Sequence, residues 1–152
     1  MTPELIQQLG DDLFAALRER RTLVPFTNRF SEITVEDAYG ISLQFLNRRV
    51  AAGERVIGKK IGVTSKPVQD MLGVFQPDFG FLTDAMHCAD GATVSLKQTG
   101  LIQPKAEGEI AFMLKADLKG PGITREQVMA ATEWVAPCFE IVDSRIDDWK
   151  IK

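Results

Sequence analysis

The sequence predicts an α+β fold, with N-terminal helices followed by a β-rich remainder. Three observations carry that prediction. Apolar residues recur at helical spacing through residues 1–54. β-Branched runs such as "RVIGKKIGVT" and "APCFEIVDSRI" come after them, separated by Gly- and Pro-containing segments. The chain has 152 residues, 45% of them hydrophobic, which suits one ordinary domain or part of a larger one.

The first element is an amphipathic helix over "TPELIQQLGDDLFAALRER". Thr2 can cap it, Pro3 suits its first turn, and Leu5, Leu9, Leu13 and Leu17 recur every four residues. Gly10 weakens it near the middle. A second helix starts at Thr34, where "TVED" resembles a capping pattern, and ends near Gly53. Its best apolar stripe is Tyr39, Leu43, Leu46 and Val50, with Ile41 and Phe45 on the other side. That pattern predicts a helix covered twice.

"RVIGKKIGVT" reads as a strand and "SKPVQDMLG" as a short helix. "VFQPDFGFL" reads as a turn-rich piece broken by Pro77 and Gly80. "GATVSL" is predicted as a strand after the "ADG" turn, and "GLIQPKAEGEIAFMLKADL" as a long strand region. "KGPGI" is a loop. "TREQVMAATEWV" is a helix with Thr124 as cap and Gln127 completing a capping box, and "APCFEIVDSRI" is the last strand. The predicted organisation is a helical segment, residues 1–54, and the first part of a β-rich catalytic domain, residues 55–152.

Charge and composition exclude several classes. A net charge of −3 favours neither nucleic acid nor an anionic membrane surface. Cys88 and Cys138 have no metal-type spacing and read as reduced thiols of a cytoplasmic protein. No apolar run is long enough to span a bilayer. The start lacks the basic and apolar regions of a signal peptide. The end, "CFEIVDSRIDDWKIK", stops without a turn or cap, so the fold is expected to be incomplete in this chain.

Five residues stand out chemically. Glu107 and Glu109 lie two apart in "PKAEGEIAF", so strand alternation sends both carboxylates to one face. That arrangement suits a hard divalent cation, and it equally fits two solvated acids on an exposed strand. Glu140 sits among Phe139, Ile141 and Val142 and would add a third oxygen; an exposed position or an ion pair with Arg145 is the alternative. Lys60 shares a strand face with Gly58 and Gly62, leaving room for a ligand beside its ammonium; a surface lysine is the plainer reading. Lys59 falls on the apolar face in that register. Asp78, in "QPDFG", is expected in a loop, either relaying protons or bonding its own backbone. The lone His87 reads as structural or surface.

Four blocks together, "GERVIGKKIGVTS", "LGVFQPDFGFLTD", "LIQPKAEGEIAF" and "CFEIVDSRIDDWK", resemble the 2-hydroxypenta-2,4-dienoate hydratases of the fumarylacetoacetate hydrolase superfamily. The resemblance covers essentially the whole chain and a little over half of the longer family chain. It implies a fumarylacetoacetate hydrolase-like fold and a hydratase of meta-cleavage aromatic catabolism acting on a small 2-hydroxydienoate. It implies Glu107, Glu109 and Glu140 as ligands of Mg²⁺ or Mn²⁺, Lys60 as the active-site lysine and Asp78 as the acid of the "PDFG" segment. It also implies a homo-oligomer, and association with 4-oxalocrotonate decarboxylase. That decarboxylase is itself a rival reading, although its pattern has no acid where this chain has Asp78. A C–C hydrolase of the same superfamily and a non-catalytic metal-binding or assembly subunit are the other rivals.

Overall fold

The computed structural model describes residues 1–151; Lys152, the last residue of the expected catalytic segment, lies outside them. The α+β class holds. Helices α1 (Pro3–Glu19) and α2 (Val35–Ala51) come first. They are followed by β1 (Val56–Gly62), α3 (Lys66–Leu72), β2 (Asp78–Thr83), the four-residue α4 (Leu96–Thr99), β3 (Lys105–Leu114), α5 (Arg125–Ala131) and β4 (Thr132–Val142). Two antiparallel two-stranded sheets form, β1 with β2 and β3 with β4.

The chain makes two compact units. One comprises Met1–Ile102 and the stretch from Ser144; the other is Gln103–Asp143. The breaks therefore fall at 102/103 and 143/144, and the helical segment shares its unit with β1 and β2.

In the first unit, the caps form where the sequence puts them. Thr2 Oγ1 accepts from the Leu5 N–H at 3.3 Å, and Pro3 opens α1. Thr34 and Asp37 complete a capping box on α2, with the Asp37 N–H donating to Thr34 Oγ1 at 3.1 Å and the Thr34 N–H to Asp37 Oδ2 at 3.0 Å. The other Asp37 oxygen accepts from the Met1 ammonium at 2.9 Å. This partner first, then the Thr34 N–H, lowers the Asp37 pKa to about 2.

Leu9 and Ala16 of α1 and Ile41 of α2 form the core between the helices. Gly10 is a close-approach point: a Cβ there would stand 2.5 Å from Gln44 Cβ and 2.9 Å from the Ile41 carbonyl oxygen. This contact corrects the expected stripe on α2. The helix buries the side carrying Asp37, Ile41 and Arg49, while Leu43 and Val50 are each 45% exposed.

Three other expectations change. "VFQPDFGFL" contains all of β2 but Thr83, because Asp78, Gly80 and Leu82 alternate with Phe79 and Phe81; Pro77 precedes the strand, where its missing N–H costs no ladder bond. "GATVSL" forms no strand, since β-propensity without a pairing partner decides little. The expected helix 124–135 stops at Ala131. Thr132, Trp134 and Val135 instead open β4, paired with Leu114, Met113 and Phe112 of β3.

Candidate metal centre and active site

The second unit carries the three glutamates on one ladder. Glu107 and Glu140 are direct cross-strand partners, and Glu109 lies two residues further along β3, opposite Cys138. Residues facing each other across an antiparallel pair project to the same side. Each glutamate offers a carboxylate oxygen, and these three atoms all lie within 4.8 Å of one another. Among the described residues this is the one group of three or more His, Cys, Asp or Glu side chains so arranged.

Glu107 and Glu109 are exposed and Glu140 is half-buried. The donor set is oxygen only, the preference of hard divalent cations, and a cation would offset the mutual repulsion of three like charges. Gly108, between the two β3 acids, points to the opposite face and has open space around it. The residues present therefore fit a Mg²⁺-type ion.

The first unit carries the other two residues, on the β1–β2 hairpin. The register pairs Gly62 with Asp78 and Lys60 with Gly80, so all four lie on one face. Asp78 is thus the first residue of a strand and not a loop residue. The Lys60 ammonium lies 3.3 Å from the point where a Cβ on Gly62 would stand, and the Asp78 Oδ1 lies closer still to that point. Ammonium and carboxylate thus converge over a residue with no side chain. Lys60 is half-buried and Asp78 exposed.

The opposite face of the hairpin explains Lys59. Lys59 pairs with Phe81, and its ammonium sits 5.5 Å from that ring's centroid, a cation–π contact that accommodates a lysine on an apolar face. Phe79 on the same face stacks on Tyr39 of α2, centroids 4.7 Å apart and planes 15° apart. This contact anchors the strand residue next to Asp78, and such stacks add about 0.5–1.5 kcal/mol beyond area burial.

Two polar clamps secure the other end of the hairpin. Arg49 of α2 donates to Thr83 Oγ1 at 3.1 Å and to Glu54 at 2.7 Å, and the Thr83 hydroxyl donates to the same Glu54 oxygen. Thr83 is fully buried, so its hydroxyl depends on Arg49 and Glu54 for the hydrogen bonds that water cannot supply. Arg55 holds Asp84 through its backbone N–H at 2.9 Å and its guanidinium at 3.0 Å, and these bonds lower the Asp84 pKa. Sequence reasoning missed Tyr39, Arg49, Thr83 and Gly80 as supports of the site. The alternation in "DFGFLT" was the available signal.

Of the remaining candidates, Cys138 is the direct cross-strand partner of Glu109 on the glutamates' face, while His87 and Cys88 lie in the first unit outside β1 and β2. Cys88 and Cys138 are free, exposed thiols, and His87 is exposed at the end of a 3₁₀ turn. No helix among the described residues is long and apolar enough to cross a membrane.

No protein-family model matches the chain. It is 72% identical over 149 residues to a 2-hydroxyhexa-2,4-dienoate hydratase of Comamonas testosteroni, covering 98% of this chain and 56% of that protein. It is 64% identical over 152 residues to a 2-hydroxypent-2,4-dienoate hydratase of Pseudomonas putida, covering 100% of this chain and 68% of that one. Among solved structures, 4-oxalocrotonate decarboxylase from Pseudomonas putida G7, complexed with magnesium and adipate, matches with a TM-score of 0.93 at 35% identity, over 99% of this chain and 57% of that chain. The chain thus spans between about half and two thirds of the length of these proteins.

Proposed function

This chain belongs to the 2-hydroxypenta-2,4-dienoate hydratase family, and from that premise we propose that its protein is a divalent-metal-dependent hydro-lyase. The reaction adds water to 2-hydroxypenta-2,4-dienoate and yields 4-hydroxy-2-oxopentanoate, a step of meta-cleavage aromatic catabolism. The observation that carries this reading is the identity gradient, 72% and 64% to hydratases against 35% to the decarboxylase structure. The three-carboxylate cluster and the Lys60–Asp78 pair supply the groups that the chemistry needs.

In this proposal Glu107, Glu109 and Glu140 hold Mg²⁺ or Mn²⁺. When bound, the ion supplies Lewis-acid polarisation of the substrate's carboxylate and 2-oxygen. The rest falls to the chain's own side chains. The dienol first ketonises: its 2-hydroxyl gives up a proton and C5 gains one. Asp78 carries protons in this exchange, which suits an exposed carboxylate. Water then adds, hydroxyl to C4 and proton to C3. Negative charge develops on the 2-oxygen during that addition, and the fixed Lys60 ammonium stabilises it.

Further parts of the proposal are a cytoplasmic location, a homo-oligomer and association with 4-oxalocrotonate decarboxylase. The apolar face of the β3–β4 ladder, where Ile110, Phe112 and Phe139 are exposed, supports burial against more polypeptide. Light scattering of the purified protein measures the oligomer.

The decisive assay follows the dienol absorbance of 2-hydroxypenta-2,4-dienoate with the full-length protein, with and without Mg²⁺ or Mn²⁺. Metal-dependent decay with 4-hydroxy-2-oxopentanoate as product supports the hydratase. No turnover by folded, metal-loaded protein, together with carbon dioxide release from 4-oxalocrotonate, would replace it with the decarboxylase.

A further inference from the structure

We infer that Gly62 is a positioning residue: its missing side chain is what lets the Asp78 carboxylate stand beside the Lys60 ammonium. The inference rests on the reading of Lys60 and Asp78 as the reacting pair. It starts from the register, in which Gly62 is the direct cross-strand partner of Asp78 and lies two residues from Lys60 on the same face. A Cβ at Gly62 would overlap Asp78 Oδ1, and would stand 3.3 Å from Lys60 Nζ and 3.4 Å from Asp78 Cγ. Both site groups therefore fill the space that any other residue would claim.

Backbone conformation gives no competing reason for glycine here. Gly62 is not among the residues with positive φ, whereas its neighbour Val63 is, at φ 55°. A β-branched residue in the left-handed region is strained, so the chain tolerates cost beside the pair while keeping Gly62 in an ordinary strand conformation. Gly62 is also buried, which leaves an added methyl no route into solvent.

The other glycines on this face behave differently. A Cβ on Gly58 would meet only Leu82 Cδ1 at 3.8 Å, an ordinary contact, and one on Gly80 would meet Lys60 Cγ at 3.4 Å. Only at Gly62 would the added atom displace a reacting group. A displacement of about 1 Å at a reacting group can cost on the order of 100-fold in rate.

The test is a double-mutant cycle in the full-length protein. Gly62→Ala lowers kcat about 10- to 100-fold, lowers the melting temperature and leaves Mg²⁺ affinity by calorimetry unchanged. In the Asp78→Ala background the nearest group that the methyl would strike is gone and only Lys60 Nζ, at 3.3 Å, remains, so Gly62→Ala then costs clearly less in kcat and the melting temperature recovers most of its loss. Full kcat in Gly62→Ala, or losses that add in full on top of Asp78→Ala, overturn the positioning role. Full turnover in Asp78→Ala alone overturns the reacting-pair reading, and is distinguished because the melting-temperature coupling between positions 62 and 78 persists. The thermal half of the cycle needs no activity, and its failure overturns the geometry itself.

Discussion

Glu107 and Glu140 are direct partners across the β3–β4 ladder, two like charges held opposite each other on one face. Antiparallel ladders place direct partners close, and like charges in that position destabilise. With Glu109 beside them, three carboxylates share that face.

The first prediction follows from that repulsion. Two charges about 4 Å apart cost about 1 kcal/mol in water, and Glu107 and Glu109 are exposed. In chelator, Glu109→Gln is expected to raise the melting temperature by about 2–4 °C. In saturating Mg²⁺ the order reverses, because the variant loses the metal-induced rise. Thermal scans of both proteins under both conditions check this. A variant no more stable than the parent in chelator, with Mg²⁺ affinity intact, removes Glu109 from the cluster.

The second prediction separates Asp78 and Lys60 from the metal ligands. Asp78→Asn keeps the shape but cannot accept a proton, and is expected to lower kcat about 10²- to 10⁴-fold. Lys60→Gln removes the charge over Gly62 and is expected to lower kcat roughly 10²- to 10³-fold. Both keep the parent's Mg²⁺ affinity, because the carboxylates of the cluster lie on other strands. Calorimetric titration beside the dienol assay reads the two quantities independently. Weakened metal binding in either variant would count against the division of roles.

What was legible in the sequence follows the range of the interactions involved. The Thr34–Asp37 and Thr124–Gln127 boxes form as read, because a cap is settled within four residues. Glu107 and Glu109 share a face because alternation is a local property of one strand. Spacing alone leaves Glu140 open, since its place opposite Glu107 depends on a strand register that brings together residues more than thirty apart in sequence. Asp78 was misread for a related reason: "QPDFG" has turn composition, and only pairing with β1 makes it a strand. In "TREQVMAATEWV" helix propensity runs past Ala131, where pairing with β3 overrides it.

The third prediction concerns Gly10, where propensity and packing disagree. In an exposed helix Gly→Ala gains about 1 kcal/mol. Here the added methyl would stand 2.5 Å from Gln44 Cβ and 2.6 Å from Gln44 Cγ, inside the contact between α1 and α2. Overpacking of this kind costs about 1–3 kcal/mol, so Gly10→Ala is expected to be destabilising on balance. Urea denaturation monitored by circular dichroism gives the sign. A stabilised variant would mean that α1 and α2 separate at little cost.

The fourth prediction is a pH dependence. The Asp37 pKa is lowered from its ordinary 3.8 to about 2, chiefly by the Met1 ammonium and then by the Thr34 N–H. A lowered folded-state pKa means that the unfolded chain takes up the proton first as acid is added. The stability that ionised Asp37 supplies is therefore complete above pH 3.8, declines below it and is gone once the pH passes below about 2. Asp37→Asn is expected to be less stable than the parent at neutral pH and to lose less stability between these two values. Urea midpoints measured at intervals across that window decide it. Parallel acid limbs in the two proteins would show that the Met1–Asp37 pair does not couple folding to protonation.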